Sequence, residues 1–251
     1  AELDDLSTNA SQTATCALTI TVADAVTVTA GKAVVDATSV AAVAFTVGIS
    51  DTLANCIDTN AIHGDLTAIK NKDSDINIGL GTINTITATQ VTHLNLVTDV
   101  TTGTVTATID GNIAELDDLS SNASQTATCA LTITVADVVT VTTGKIVVDA
   151  TSITTVDFSA AGLTGALESY IGTGVNTVHA SLTAITSKDS DIDILITPEL
   201  NNLTSDQVTQ INNIAQTTDG DLTATIDGSA SVLSGIGASG SSAVKQLTIT
   251  V

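Results

Sequence analysis

The 251 residues carry 27 acids against six lysines and no arginine, a net charge of −21. This excludes nucleic acid, whose phosphates need clustered basic side chains, and disfavours an anionic membrane surface. Hydrophobic residues make up 43%, yet there are two Phe, one Tyr, no Trp and no Met, so any core must be built from Val, Ile, Leu and Ala.

In chain order, Leu18–Val22 (LTITV) alternates apolar and polar residues as a strand does, and VTVT from Val26 reads as a second short strand. AFTVGI from Ala44 reads as a third, INIGL from Ile76 as the next, and NTIT from Asn84 as another. Thr87 and Gln90 fit a capping box, in which a hydroxyl and an amide satisfy reciprocal backbone donors, and Val91, Leu94 and Val97 follow at helical spacing. TVTATI from Thr104 is strand-like, and Ile113, Leu116 and Leu119 share one helical face. The series then recurs: LTITV at 131, VTVT at 139, IDILI at 192, NNLT at 201, a Thr204/Gln207 box before Val208, Ile211 and Ile214, LTATI at 222, ASVLSGI at 230 and LTITV at 247.

The recurrence is a sequence repeat. Ala1–Ser39 returns almost unchanged as Ala114–Ser152, 113 residues later, and LTAI with KDSD returns 116 residues later. Residues 1–113 form repeat 1 and 114–229 repeat 2, each of two half-repeats, and 230–251 begin repeat 3. A half-repeat this poor in aromatic mass cannot bury its own apolar faces. The expectation is therefore a repeat solenoid of about four coils, mainly parallel β with short helices between strands, α/β-solenoid or β-helix-like. Two tandem α/β or β-sandwich domains are the competing architecture. Ends in matching phase suggest an excerpt of a longer array that pairs end to end or with neighbouring repeats.

Candidate chemistry centres on KDSD. Asp73, Asp75 and Asn77, and likewise Asp189, Asp191 and Asp193, alternate, so on a strand each trio would face one side. Oxygen ligands at alternate positions are how calcium loops begin, so calcium is the candidate cofactor; the competing reading is an acidic strand entry in solvent. His63 and His179 occupy equivalent positions and read as turn histidines with one hydrogen bond each, while His93 has Gln210 as its counterpart in the second copy and so reads as local in role. Cys16 and Cys129 share a repeat position, Cys56 has a Ser counterpart, and no CxxC occurs, so these are small apolar residues outside any disulfide framework. Asn9, Asn122 and Asn202 match the glycosylation sequon. Thr19/Thr21, Thr27/Thr29, Thr106/Thr108, Thr132/Thr134 and Thr140/Thr142 would form a hydroxyl-and-methyl lattice if stacked, resembling threonine-rich ice-binding solenoids, although INIGL and IDILI interrupt the ladder. No nucleophile, zinc or nucleotide motif is present and the acids do not converge, so no enzyme activity is expected. No apolar run reaches membrane-spanning length, and no basic segment opens the chain.

Ile49–Ile57 (ISDTLANCI), Thr104–Leu116 (TVTATIDGNIAEL) and Leu18–Gly31 (LTITVADAVTVTAG) resemble the degenerate repeats of giant bacterial, cyanobacterial-type secreted surface proteins, RTX-like adhesins and S-layer-associated arrays. The resemblance implies an extracellular structural or adhesive role, often with calcium; the rival reading of the chain is a ligand-binding module for calcium or surface glycans. The GGxGxDxUx nonapeptide of the calcium-binding arrays does not occur in this chain.

Overall fold

The computed structural model describes residues 19–37, 42–120, 128–150, 153–158, 162–174, 176–237 and 245–250. The chain divides into two compact units, Ala1–Ile109 with Asp118–Thr132, and Asp110–Asp117 with Ile133–Val251.

The first unit opens with β1 (Thr19–Val22), α1 (Val28–Ala37) and β2 (Ala42–Phe45), a parallel pair joined by a crossover helix, with Ile20 opposite Val43 and Val22 opposite Phe45. β3 (Ile49–Ser50), α2 (Leu53–Cys56), the hairpin β4 (Ile57–Asp58) and β5 (Ala61–Ile62), and α3 (Gly64–Lys70) follow. Then β6 (Ile78–Ile83), α4 (Ala88–Val100) and β7 (Thr104–Gly111) form another βαβ unit. Leu66, Ile69, Ile76, Ile78, Leu94, Val97, Val105 and Ile109 are almost wholly buried. Each such side chain contributes roughly 1.5–3 kcal/mol.

The second unit repeats the scheme. After α5 (Ile113–Leu116) and β8 (Thr128–Val135), whose residues up to Thr132 belong to the first unit, come α6 (Val141–Asp149), β9 (Ile153–Asp157), β10 (Leu163–Gly165), α7 (Ala180–Thr186), β11 (Ile194–Leu200), α8 (Ser205–Ala215), β12 (Leu222–Asp227), α9 (Ala230–Leu233) and β13 (Lys245–Thr250). The strand orders are β1-β2, β3-β6-β7-β8-β9, β10-β11-β12-β13 and the antiparallel β4-β5. Pro198 sits in β11 at a register irregularity between Ile196 and Leu200, a place where a ladder tolerates a missing donor.

The expected repeat solenoid of about four coils is overturned. The chain is a mixed α/β fold with several parallel sheets and, among the described residues, nine α-helices, and its contacts gather into two units. One physical reason lies in the VTVT segments. Val26 and Val139 make only isolated bridges, and the residues after them coil into α1 and α6 in place of second strands. Buried Val28, Gly31, Val34 and Val35 repeat at helical spacing. A Cβ on Gly31 would lie 2.8 Å from Ile69 Cδ1, and one on Gly144 would lie 3.1 Å from Ile185 Cδ1. Glycine thus lets α1 lie close on α3 and α6 on α7, so each unit closes helix against helix. The NTIT and NNLT segments are turns leading into α4 and α8.

Other expectations hold. Thr87/Gln90 and Thr204/Gln207 are capping boxes, Val91, Leu94 and Val97 form the buried stripe of α4, and Val208, Ile211 and Ile214 form that of α8. A third box, Thr140/Thr143, starts α6.

Candidate functional site: two equivalent acidic turns

The KDSD residues lie on a turn between α3 and β6, and again between α7 and β11, instead of on a strand as expected. In the first unit Asp73 Oδ2 accepts the Phe45 N–H at 2.7 Å, at the end of β2. Asn77 Oδ1 accepts the Thr104 N–H at 2.8 Å, at the start of β7. In the second unit Asp189 Oδ2 accepts the Phe158 N–H at 2.6 Å, just after β9, and Asp193 Oδ1 accepts the Asp221 N–H at 2.8 Å, just before β12. Each turn therefore ties one segment behind it and one ahead of it by charge-assisted or amide hydrogen bonds to backbone donors that no ladder serves.

Asp75 and Asp191 stay exposed beside these staples. The Asp73 carboxyl is raised above its ordinary range, first by burial and then by Asp75, against the pull of the Phe45 N–H. Asp189 is 6% exposed and is pushed up to about 6, first by burial and then by Asp191 and Asp157. Clefts of about 240 Å³ and 300 Å³ open at the two turns, lined by Ala44, Phe45, Thr46, Asp73, Asp75 and Asn77 in one unit and by Thr155, Val156, Asp157, Lys188, Asp189, Ser190 and Asp191 in the other.

Calcium takes six to eight oxygen ligands. At each turn the inner carboxylate and the third residue already accept backbone N–H groups. Among the described residues no group of three or more His, Cys, Asp or Glu is placed to hold a metal ion.

The remaining polar candidates also serve the backbone. His63 and His179 are the N-caps of α3 and α7, their Nδ1 atoms accepting from the Asp65 N–H at 3.2 Å and the Ser181 N–H at 3.1 Å. His93 Nε2 lies 3.2 Å from Asn60 Oδ1. Cys56 is fully buried and its thiol is pushed up to about 12 by burial and by the charge of Asp51, which removes it as a nucleophile; Cys129 is half-buried. Cys16, Asn9 and Asn122 lie outside the described residues, and Asn202 is an exposed turn residue at φ 55°. Thr27 and Thr140 cap helices. Thr106 and Thr108 face outward on β7, but Gly79 stands opposite Thr106 and Leu195 opposite Thr223, so the threonine rows are broken.

Two features escaped the sequence reading. Thr101 and Thr218, both buried, donate to the Ile76 and Ile192 carbonyls at 2.6 Å while accepting from Gly103 and Gly220 N–H at 2.9 Å. The glycines are obligatory, since a Cβ on either would lie 2.2 Å from the Asp75 or Asp191 carbonyl oxygen. The signal was present as Thr-x-Gly at the same phase of both repeats. Asp51 is the other: Oδ2 accepts the Val28 N–H at 2.9 Å at the head of α1. Burial raises its carboxyl, but bonds from Asn55, Val28 and Thr52 outweigh this and hold it below the ordinary range.

No family model, curated protein or solved structure matches the chain. Among the described residues no helix is long and apolar enough to cross a membrane.

Proposed function

We propose that the chain is a non-enzymatic structural or adhesive repeat segment of a large extracellular surface protein or filament, in contact with neighbouring repeats. The observation that carries this reading is the use made of the repeated polar residues. Asp73 and Asp189, Asn77 and Asp193, His63 and His179, and Thr101 and Thr218 each bond equivalent backbone groups in the two units. Repetition has thus preserved a scaffold, with the acids turned to holding the backbone. The net charge of −21 keeps such a surface hydrated and resistant to collapse on itself.

Force spectroscopy on the chain tests the reading. Two unfolding events of similar force, equal in EDTA and in millimolar calcium, are expected. A rise in force on adding calcium, lost when Asp73, Asp75, Asp189 and Asp191 are replaced by Asn, would transfer the function to calcium binding.

A further inference from the structure

His63 and His179 hold the heads of α3 and α7 in one protonation state only. Each Nδ1 accepts a backbone N–H, from Asp65 at 3.2 Å and from Ser181 at 3.1 Å. A backbone N–H can only donate, so Nδ1 must be bare and the ring proton must sit on Nε2. Taking up a second proton turns that acceptor into a donor facing a donor, and sets a positive charge at the positive end of the helix. Imidazole makes this change in mildly acidic water.

The residue that gives the N–H differs between the units. In α3 it is Asp65, whose Oδ2 lies 3.8 Å from His63 Nδ1, so a protonated His63 meets a carboxylate in place of the lost bond. In α7 it is Ser181, and that helix has no acid in its first turn. The charged groups around α7 stand elsewhere. Lys145 and Asp149 on α6, the helix packed against it, pair with each other, and Glu168 is exposed on the helical turn Leu167–Tyr170. Lys188, Asp189, Asp191 and Asp157 gather past the far end of α7. Among the described residues none makes an ion pair with His179.

We propose that the head of α7 is an acid-released latch: protonation of His179 frees the first turn of α7, while His63 with Asp65 keeps α3 closed through the same change. What the latch covers is apolar. Leu182, in that first turn, and Ile185, which lies on the glycine face of α6, are both fully buried. Release therefore bares aliphatic surface of the second unit in acid and leaves the first unit intact. The cap is present where the imidazole is neutral and is lost as pH falls through the histidine range. Asp189, past the other end of α7, responds with the opposite sign, so local opening of the helix head reports the latch and the total stability of the unit does not.

Amide hydrogen exchange followed by NMR reads the first bonds inside each helix, from the Thr67 N–H to the His63 carbonyl at 3.0 Å and from the Thr183 N–H to the His179 carbonyl at 3.2 Å. Between about pH 7.5 and about pH 5, with intrinsic rates divided out, protection of the Thr183 N–H falls about fivefold, the contribution of one side-chain cap, and that of the Thr67 N–H by less than about twofold. Ser181→Asp abolishes the fall in α7 and Asp65→Ser brings it to α3. His179→Asn, which caps without titrating, also removes the fall at Thr183. Equal falls in the two helices, or a fall unchanged by Ser181→Asp, overturns the proposal. So do imidazole nitrogen shifts that place the ring proton of His179 on Nδ1 at about pH 7.5.

Discussion

The two acidic turns make the same hydrogen bonds in different electrostatic surroundings. Asp73 reaches Phe45, and Asp189 reaches Phe158, with nearly identical geometry. Beside the bond, however, the first unit has Ala44 where the second has Asp157. Asp189 therefore faces two further carboxylates, Asp191 and Asp157, and rises to about 6, while Asp73 faces Asp75 alone and is raised less decidedly. A staple is set by geometry, but the pH range over which it costs or stabilises is set by what stands next to it.

The most damaging change should be Gly220→Ala or Gly103→Ala. Either forces a Cβ onto a backbone oxygen, and a loss of about 3 kcal/mol or more is expected in urea unfolding of the affected unit. A loss below about 1 kcal/mol would mean that the turn does not press on the strand as described.

Thr218→Val and Thr101→Val keep the shape and remove the hydroxyl. Each strands a carbonyl and an N–H, and each should cost about 2 kcal/mol, equally in the two units. An unequal cost would break the equivalence of the units at this point.

The acid staple sharpens their difference. Because the folded-state pKa of Asp189 lies above its unfolded value, protonation favours the fold. That contribution is complete below the ordinary carboxylate range and is lost as pH rises through about 6. Asp189→Asn should flatten this slope while keeping an acceptor for the Phe158 N–H. Asp157→Ala should reduce the slope, and Ala44→Asp should steepen the one that raised Asp73 gives the first unit, each changing stability at pH 7 by about 1 kcal/mol. Urea midpoints measured from pH 4 to 8 read all three, and a slope untouched by Asp157→Ala would refute the assignment. Smallest of all, Gln90→Ala and Gln207→Ala each remove half of a capping box and should cost about 0.5–1 kcal/mol by the same measurement.

The places where structure departed from sequence share a physical cause. V-T-V-T followed by A-G-K-A-V-V fits a strand over its first four residues and a helix over the whole. The decision came from Ile69 and Ile185, on other helices, whose side chains need the glycine face of α1 and α6. The alternating acids of KDSD fit a strand equally well by spacing, and became turn staples because α3 and α7 end just before them, with Asn71 and Ser187 at their C-caps.

What the sequence alone determined is whatever depends on neighbours along the chain: the repeat and its phase, the capping boxes, the apolar stripes of α4 and α8, and the strand character of LTITV, because each is a local fit of side chains to a backbone period. Only the tertiary structure decided that the repeats gather into two units and that the acids and threonines hold backbone groups about 25 residues away or more. Those outcomes depend on which distant donors and apolar faces meet, and no local period encodes that.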